Sequence, residues 1–146
     1  MERAHRYRRA VNLLNLSTPL GLLLGAAGAR GRDRARGPDG LLVVGGYRLP
    51  LPDAPAFTVG NVILVRGEAA GLLARPALLR HEARHATQYA FCLGPVMIGA
   101  YLVSAGASLA LSGDPASYNP FERLAGLEDG GYRRRSLRFG RIRPRT

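Results

Sequence analysis

The chain has no lysine, no tryptophan and a single cysteine. One thiol, Cys92, excludes an internal disulfide framework and any cysteine-rich zinc site. Without lysine, every cation is arginine, 21 in all. Beside abundant Ala, Gly and Leu, that usage points to the coding bias of a GC-rich bacterial genome, not to nucleic-acid adaptation. Net positive charge is also lacking in the middle of the chain. Residues 1–36 hold eight Arg and two acids, residues 133–146 hold seven Arg and no acid, and residues 37–132 hold six Arg and eight acids. The net charge of +11 therefore belongs to the ends. Such ends read as solvated tails, with contact to anionic lipid as the rival reading. No basic patch interleaved with aromatics accompanies them, so nucleic acid is not expected as a partner.

Histidine is scarce as well, and two of the three fall in His81-Glu82-Ala83-Arg84-His85. This H-E-x-x-H spacing sets both rings on one face of a helix, one turn apart, where they can converge on a single ion. Glu82 flanks that face, in reach of a water held there. The surroundings supply the helix. Pro76 suits a first helical position, Leu78, Leu79, Ala83 and Ala86 recur at helical spacing, and Gly94-Pro95 ends the run. The expected helix has roughly 17 residues, with the motif in its middle.

At 146 residues the chain is expected to form one domain with a real core. Three regions are expected: a basic N-terminal region with an apolar helix and linker (1–36), a metal-binding domain (37–132) and an Arg-rich tail (133–146). The uncharged run 10–29 reads as one helix, packed on the domain or lying at a membrane surface, with a true span or signal anchor as the alternative. Residues 30–40 read as a flexible linker. Strands are expected over Leu41–Leu49 and Phe57–Arg66, paired as an antiparallel hairpin around Pro50, Pro52 and Pro55. Gly67–Ala74 reads as a loop. No charged side chain occurs between Arg84 and Asp114, and 96–111 reads either as a core helix or as a membrane-inserted one. A last helix opens at Asn119-Pro120, with Asn119 as cap, and runs to Gly130-Gly131.

A catalytic zinc site requires a third protein ligand. His5 lies in the basic N-terminal segment and is a poor candidate. The remaining choices are Asp114, Glu122, Glu128 and Asp129. Glu122, on a helix, leads; its competing role is a capping box that returns its carboxylate to the Asn119 backbone.

The stretch Phe57-Thr58-Val59-Gly60-Asn61-Val62-Ile63-Leu64-Val65-Arg66, followed by Leu78-Leu79-Arg80-His81-Glu82-Ala83-Arg84-His85-Ala86-Thr87-Gln88, resembles the short zincin-like domains found beside bacterial toxin and contractile-injection loci. It is also similar to minimal gluzincins. The resemblance covers roughly residues 56–90. It implies an α+β fold, a β-hairpin followed by the H-E-x-x-H helix and further helices. It implies Zn²⁺ as cofactor, held by His81, His85 and a Glu on a following helix, here Glu122. Glu82 is then the general base of peptide hydrolysis, with Zn²⁺ as the Lewis acid. Tyr118, Tyr132 and Arg84 are the candidate oxyanion donors, and Asn119, Glu128 and Asp129 the candidate partners that orient a His ring. Arg84 departs from the pattern as a bulky cation inside the motif.

The expected activity is that of a zinc metalloendopeptidase-like hydrolase acting on a peptide or protein. The alternative is a non-catalytic, membrane-associated scaffold with a structural or vestigial metal site. A cytoplasmic location is expected, with membrane-surface contact through the apolar segments and the Arg-rich ends.

Overall fold

A computed structural model describes residues 2–138; part of the Arg-rich tail, 139–146, lies outside the described residues. The fold is mixed α+β. Helices α1 (Arg3–Leu14) and α2 (Ser17–Gly28) precede strands β1 (Arg34–Arg36), β2 (Leu42–Val44), β3 (Ala56–Val59) and β4 (Val62–Val65). Helices α3 (Ala69–Leu73), α4 (Pro76–Phe91), α5 (Val96–Ser112) and α6 (Pro120–Ala125) follow.

The sheet has the order β1-β2-β4-β3. The expected antiparallel pairing of 41–49 with 57–66 is not what forms. β2 runs parallel to β4, Val43 opposite Ile63, and the antiparallel partner of β4 is β3, Thr58 opposite Ile63. The expected second strand therefore splits in two. The reason is local: Gly60 takes φ +64° at the first position of a two-residue loop, a conformation suited to Gly, and the chain reverses there. A Cβ on Gly60 would also collide with the Thr18 backbone N.

The sheet is covered on both faces, which is why Val62-Ile63-Leu64-Val65 is continuously apolar and fully buried. Ile63, Val65 and Val43 pack with Leu72, Leu78 and Ala86 on the α3–α4 side. Val62, Leu64 and Val44 pack on the other side with Leu20 and Leu24 of α2, joined by Tyr89 and Met97. Period two thus divides the strand residues between two cores.

Several other expectations are corrected. The run 10–29 is not one helix, because α1 and α2 bend by 72°. Asn15 and Ser17 account for the break: Ser17 Oγ donates to Asn15 Oδ1 at 2.6 Å, and Leu16 adopts φ +69°. Residues 30–40 are structured, since β1 pairs antiparallel with β2 and Pro38–Gly40 forms a 3₁₀ turn. Gly67–Ala74 contains α3. Helix α6 stops at Ala125, where Gly126 turns to φ +91°.

The N-terminal helices are part of the structure that holds α4. Asn12 Nδ2 donates to Asn61 Oδ1 at 3.0 Å and to Ala86 O at 2.8 Å, tying α1 to the hairpin turn and to the residue after His85. Among the described residues no single helix is long and apolar enough to cross a membrane. The bent pairs α1–α2 and α4–α5, the latter at 119°, reach that length only together.

Candidate metal centre

Helix α4 opens at Pro76 and carries the motif at its middle. One turn apart, the His81 and His85 rings stand nearly perpendicular, at 83°, with centroids 4.7 Å apart. Glu122 arrives from α6. Asn119 caps that helix, its Oδ1 accepting from Phe121 N at 3.0 Å. The Asn119 backbone N–H goes to Ala116 O, so the Glu122 carboxylate is not used in a capping box. It faces the two rings instead. Glu122 Oε2 lies 3.1 Å from His81 Nε2 and 3.5 Å from His85 Nε2, and the two Nε2 atoms are 3.1 Å apart. All three residues are buried.

The outer ring nitrogens explain which atoms face inward. His81 Nδ1 is 2.9 Å from Gly126 O, which can only accept, so Nδ1 carries the proton. His85 Nδ1 is 2.8 Å from Gln88 Oε1. Gln88 Nε2 donates to Phe121 O at 2.8 Å, which fixes the amide with its oxygen toward His85. In neutral form both rings therefore turn an Nε2 lone pair toward Glu122 Oε2, which has no hydrogen-bond donor among the described residues. Three lone-pair atoms converge on one point, and such a cluster needs a cation or a proton between them. Without a metal, a proton on His81 Nε2 fills that role. Burial pulls the His81 pKa down, but the hydrogen bond to Glu122 and the neighbouring carboxylates outweigh it and raise it above the usual value. The Glu122 carboxyl is held well below the usual range: burial opposes this, and its contacts with His81, His85 and Tyr101 overcome it.

Glu82 is buried beside this cluster. Thr58 Oγ1 of β3 donates to Glu82 Oε2 at 2.6 Å. Burial raises the Glu82 pKa, against the opposing pull of His85 and Thr58, so this carboxyl is primed to hold a proton. A largely apolar cavity of about 540 Å³ is lined by His81, Glu82, His85 and Glu122 together with Thr58, Tyr101 and Tyr132.

The other named residues sort clearly. Arg84 turns outward, its Nη1 donating to Ala125 O at 2.7 Å and to Asp129 Oδ2 at 2.8 Å. It is a clamp on the end of α6 and does not line the cavity, so it is no oxyanion donor. Asp129 faces Arg84 and Arg80. Asp114 accepts from Ser117 N at 2.7 Å, and His5 lies 3.5 Å from Asp39. The His–His–Glu cluster includes none of His5, Asp114, Glu128 and Asp129. Tyr118 sits under the Arg134 guanidinium, outside the cavity. Of the three expected oxyanion donors only Tyr132 lines the cavity, its ring 5.9 Å from that of His81. Burial raises its pKa, so it stays a neutral donor.

The partners of the His rings differ from those expected. Gly126 and Gln88 hold them, in place of Asn119, Glu128 or Asp129. Tyr101 of α5 donates to Glu122 Oε1 at 2.5 Å. Gly130 lies against His81, where a Cβ would approach Cε1 to 2.6 Å. Gln88 stands one turn after His85, and Tyr101 is the one aromatic residue in α5, so both left a trace in the sequence. Gly126 and Gly130 act through backbone shape and left none. No protein-family model, no curated protein and no solved structure matches this chain.

Proposed function

We propose that the chain is a zinc-dependent hydrolase of the zincin-like, minimal-gluzincin type, acting on a peptide bond. The observation that carries this reading is the shape of the donor set. A tetrahedral zinc site with ligand bonds of about 2.0–2.1 Å has ligand–ligand edges of about 3.3–3.4 Å. The three edges here are 3.1, 3.1 and 3.5 Å, one face of such a tetrahedron. Two imidazoles and one carboxylate are the donors of many catalytic zinc sites and leave a fourth position free. The three side chains that would hold the ion line the same cavity as Glu82.

His81, His85 and Glu122 would hold the ion, which when bound supplies a Lewis acid for the carbonyl and acidifies water. Glu82, raised in pKa and oriented by Thr58, takes a proton from the attacking water. As the C–N bond breaks, the same carboxyl returns that proton to the leaving amine nitrogen, so charge and protons balance. Tyr132, which lines the cavity, would donate a hydrogen bond to the developing oxyanion. Gly126 and Gln88 keep both Nε2 lone pairs available throughout.

The test has two parts. Purified chain reconstituted with zinc and desalted should carry one zinc per chain, and Glu122→Ala and His85→Ala should lose it. Glu82→Gln should keep zinc and lose hydrolysis of a labelled unfolded protein such as casein. A folded chain that retains no metal overturns the zinc reading. Hydrolysis that persists in Glu82→Gln overturns the assignment of the base.

A further inference from the structure

Helix α5 is built inside out. Its inward face carries every hydroxyl in the helix: Tyr101, Ser104, Ser108 and Ser112, all buried or half-buried. Three of the four hydroxyls are used internally. Tyr101 donates to Glu122, Ser108 Oγ donates to Asp114 O at 2.6 Å, and Ser112 Oγ donates to Ser108 O at 2.9 Å. The outward stripe, Val96, Ala100, Val103, Ala107 and Ala110, is exposed and has no polar side chain. A helix at a water-facing surface shows the reverse arrangement.

The apolar surface continues past the helix end. Asn15 Nδ2 donates to Tyr89 O at 3.1 Å, which places the α1–α2 elbow beside the α4–α5 elbow. Both elbows project large apolar side chains: Leu14 is 81% exposed, Phe91 77% and Leu93 75%. Isolated exposed apolar residues are ordinary, but a joined set of this kind marks a surface that water does not cover.

We propose that this face seats on an anionic lipid bilayer, with α5 lying in the plane of the headgroup–acyl boundary. Charge selects this occupant. No acid lies between Glu2 and Asp33 or between Glu82 and Asp114, so neither elbow nor α5 carries one. Exposed arginines lie on α1, which leads into one elbow, and beside the end of α5. Arg3, Arg6 and Arg9 are exposed on α1, and Arg135 reaches Gly113 O at the end of α5. Long cationic side chains beside an apolar stripe complement anionic headgroups. A second copy of this chain docked through the same face would bring together two acid-free elbows and α5 helices, with rims where Arg3, Arg6, Arg9 and Arg135 outnumber the acids Glu2, Asp39 and Asp114. The length selects the pose. Seventeen residues span about 25 Å as a helix, short of the roughly 30 Å hydrocarbon core, so α5 lies along the surface and does not cross. Leu51 and Leu102 are exposed and also line the cavity, so docking places the cavity mouth at the lipid boundary. The docking stands on this surface alone and holds whether or not the site binds zinc.

The experiment uses the full chain and vesicles of phosphatidylcholine, alone or mixed equally with phosphatidylglycerol. The chain should sediment with the mixed vesicles, and less so as salt rises. Leu14→Glu with Val103→Glu, both at exposed positions, should weaken sedimentation by about tenfold or more while the circular dichroism spectrum stays unchanged. Because the chain has no Trp, Val103→Trp adds a single reporter whose emission should shift to the blue on the mixed vesicles. Folded chain that stays in the supernatant, with the indole emission of the Val103→Trp variant unshifted, overturns the proposal. So does a lipid-independent dimer that Val103→Glu dissociates, which would assign the face to a second copy.

Discussion

Tyr101→Phe isolates one contact at the centre. The substitution keeps the ring that stands 6.3 Å from His85 and 6.1 Å from Phe121, and removes only the hydroxyl that donates to Glu122 Oε1. Glu122 is buried and ionised, so its oxygen is left without that donor. A hydrogen bond to a charged group contributes about 1.5–3 kcal/mol. For a chain of this size each kcal/mol moves the melting midpoint by about 3–5 °C, so the metal-free variant should melt about 5–15 °C lower. The effect on zinc should be smaller in free energy. The bond to Tyr101 exists in the metal-free chain too, so binding loses only the orientation that it gives Glu122. An affinity loss of about tenfold is expected, at the low end for partners of ligating side chains. Thermal melts with chelator present and competition titrations against a fluorescent zinc indicator measure the two effects separately. A midpoint within about 2 °C of the parent, the range of an ordinary surface change, would refute the reasoning about Glu122.

Other outcomes follow from the same geometry. Gln88→Ala frees the His85 ring and should weaken zinc binding by about 10–100-fold, read by the same titration, with little change in the circular dichroism spectrum. Gly130→Ala sets a Cβ 2.6 Å from His81 Cε1 and should abolish stoichiometric zinc in metal analysis; a variant that loads normally would show that His81 has room to move. Because the His81 pKa is raised in the folded chain, its pairing stabilises the metal-free protein below the ordinary His range, and that contribution fades as pH rises through the raised value. Zinc has to displace the same proton, so its affinity should climb with pH and binding should release protons. Calorimetry in buffers of different ionisation enthalpy reads this directly, and buffer-independent heats would count against a protonated pair. Arg84→Ala removes an exposed clamp and should leave zinc binding intact, whereas strong loss would mean that the clamp positions Gly126 against His81.

What the chain's sequence determines unaided is what a single turn or cap can encode. The i, i+4 spacing of His81 and His85, Pro76 at the start of α4, and the Asn119-Pro120 cap all act within a few residues, and these local features match their places in the structure. The apolar, mostly β-branched run at 62–65 is likewise legible as a buried strand. Its partner is not, because pairing with β2 or β3 depends on one backbone turn at Gly60 and on what covers each face. The same limit applies at the centre. His81 and the carbonyl that sets its tautomer are 45 residues apart, and that carbonyl belongs to a glycine with no side chain to read. Tyr101 reaches Glu122 across 21 residues. Composition shows that α5 is apolar, but only packing decides that its hydroxyls turn inward and its aliphatic stripe outward. Local interactions leave a periodic trace in the chain; the convergence of three lone pairs and the choice of exposed face arise from contacts between distant segments, where no period exists to be seen.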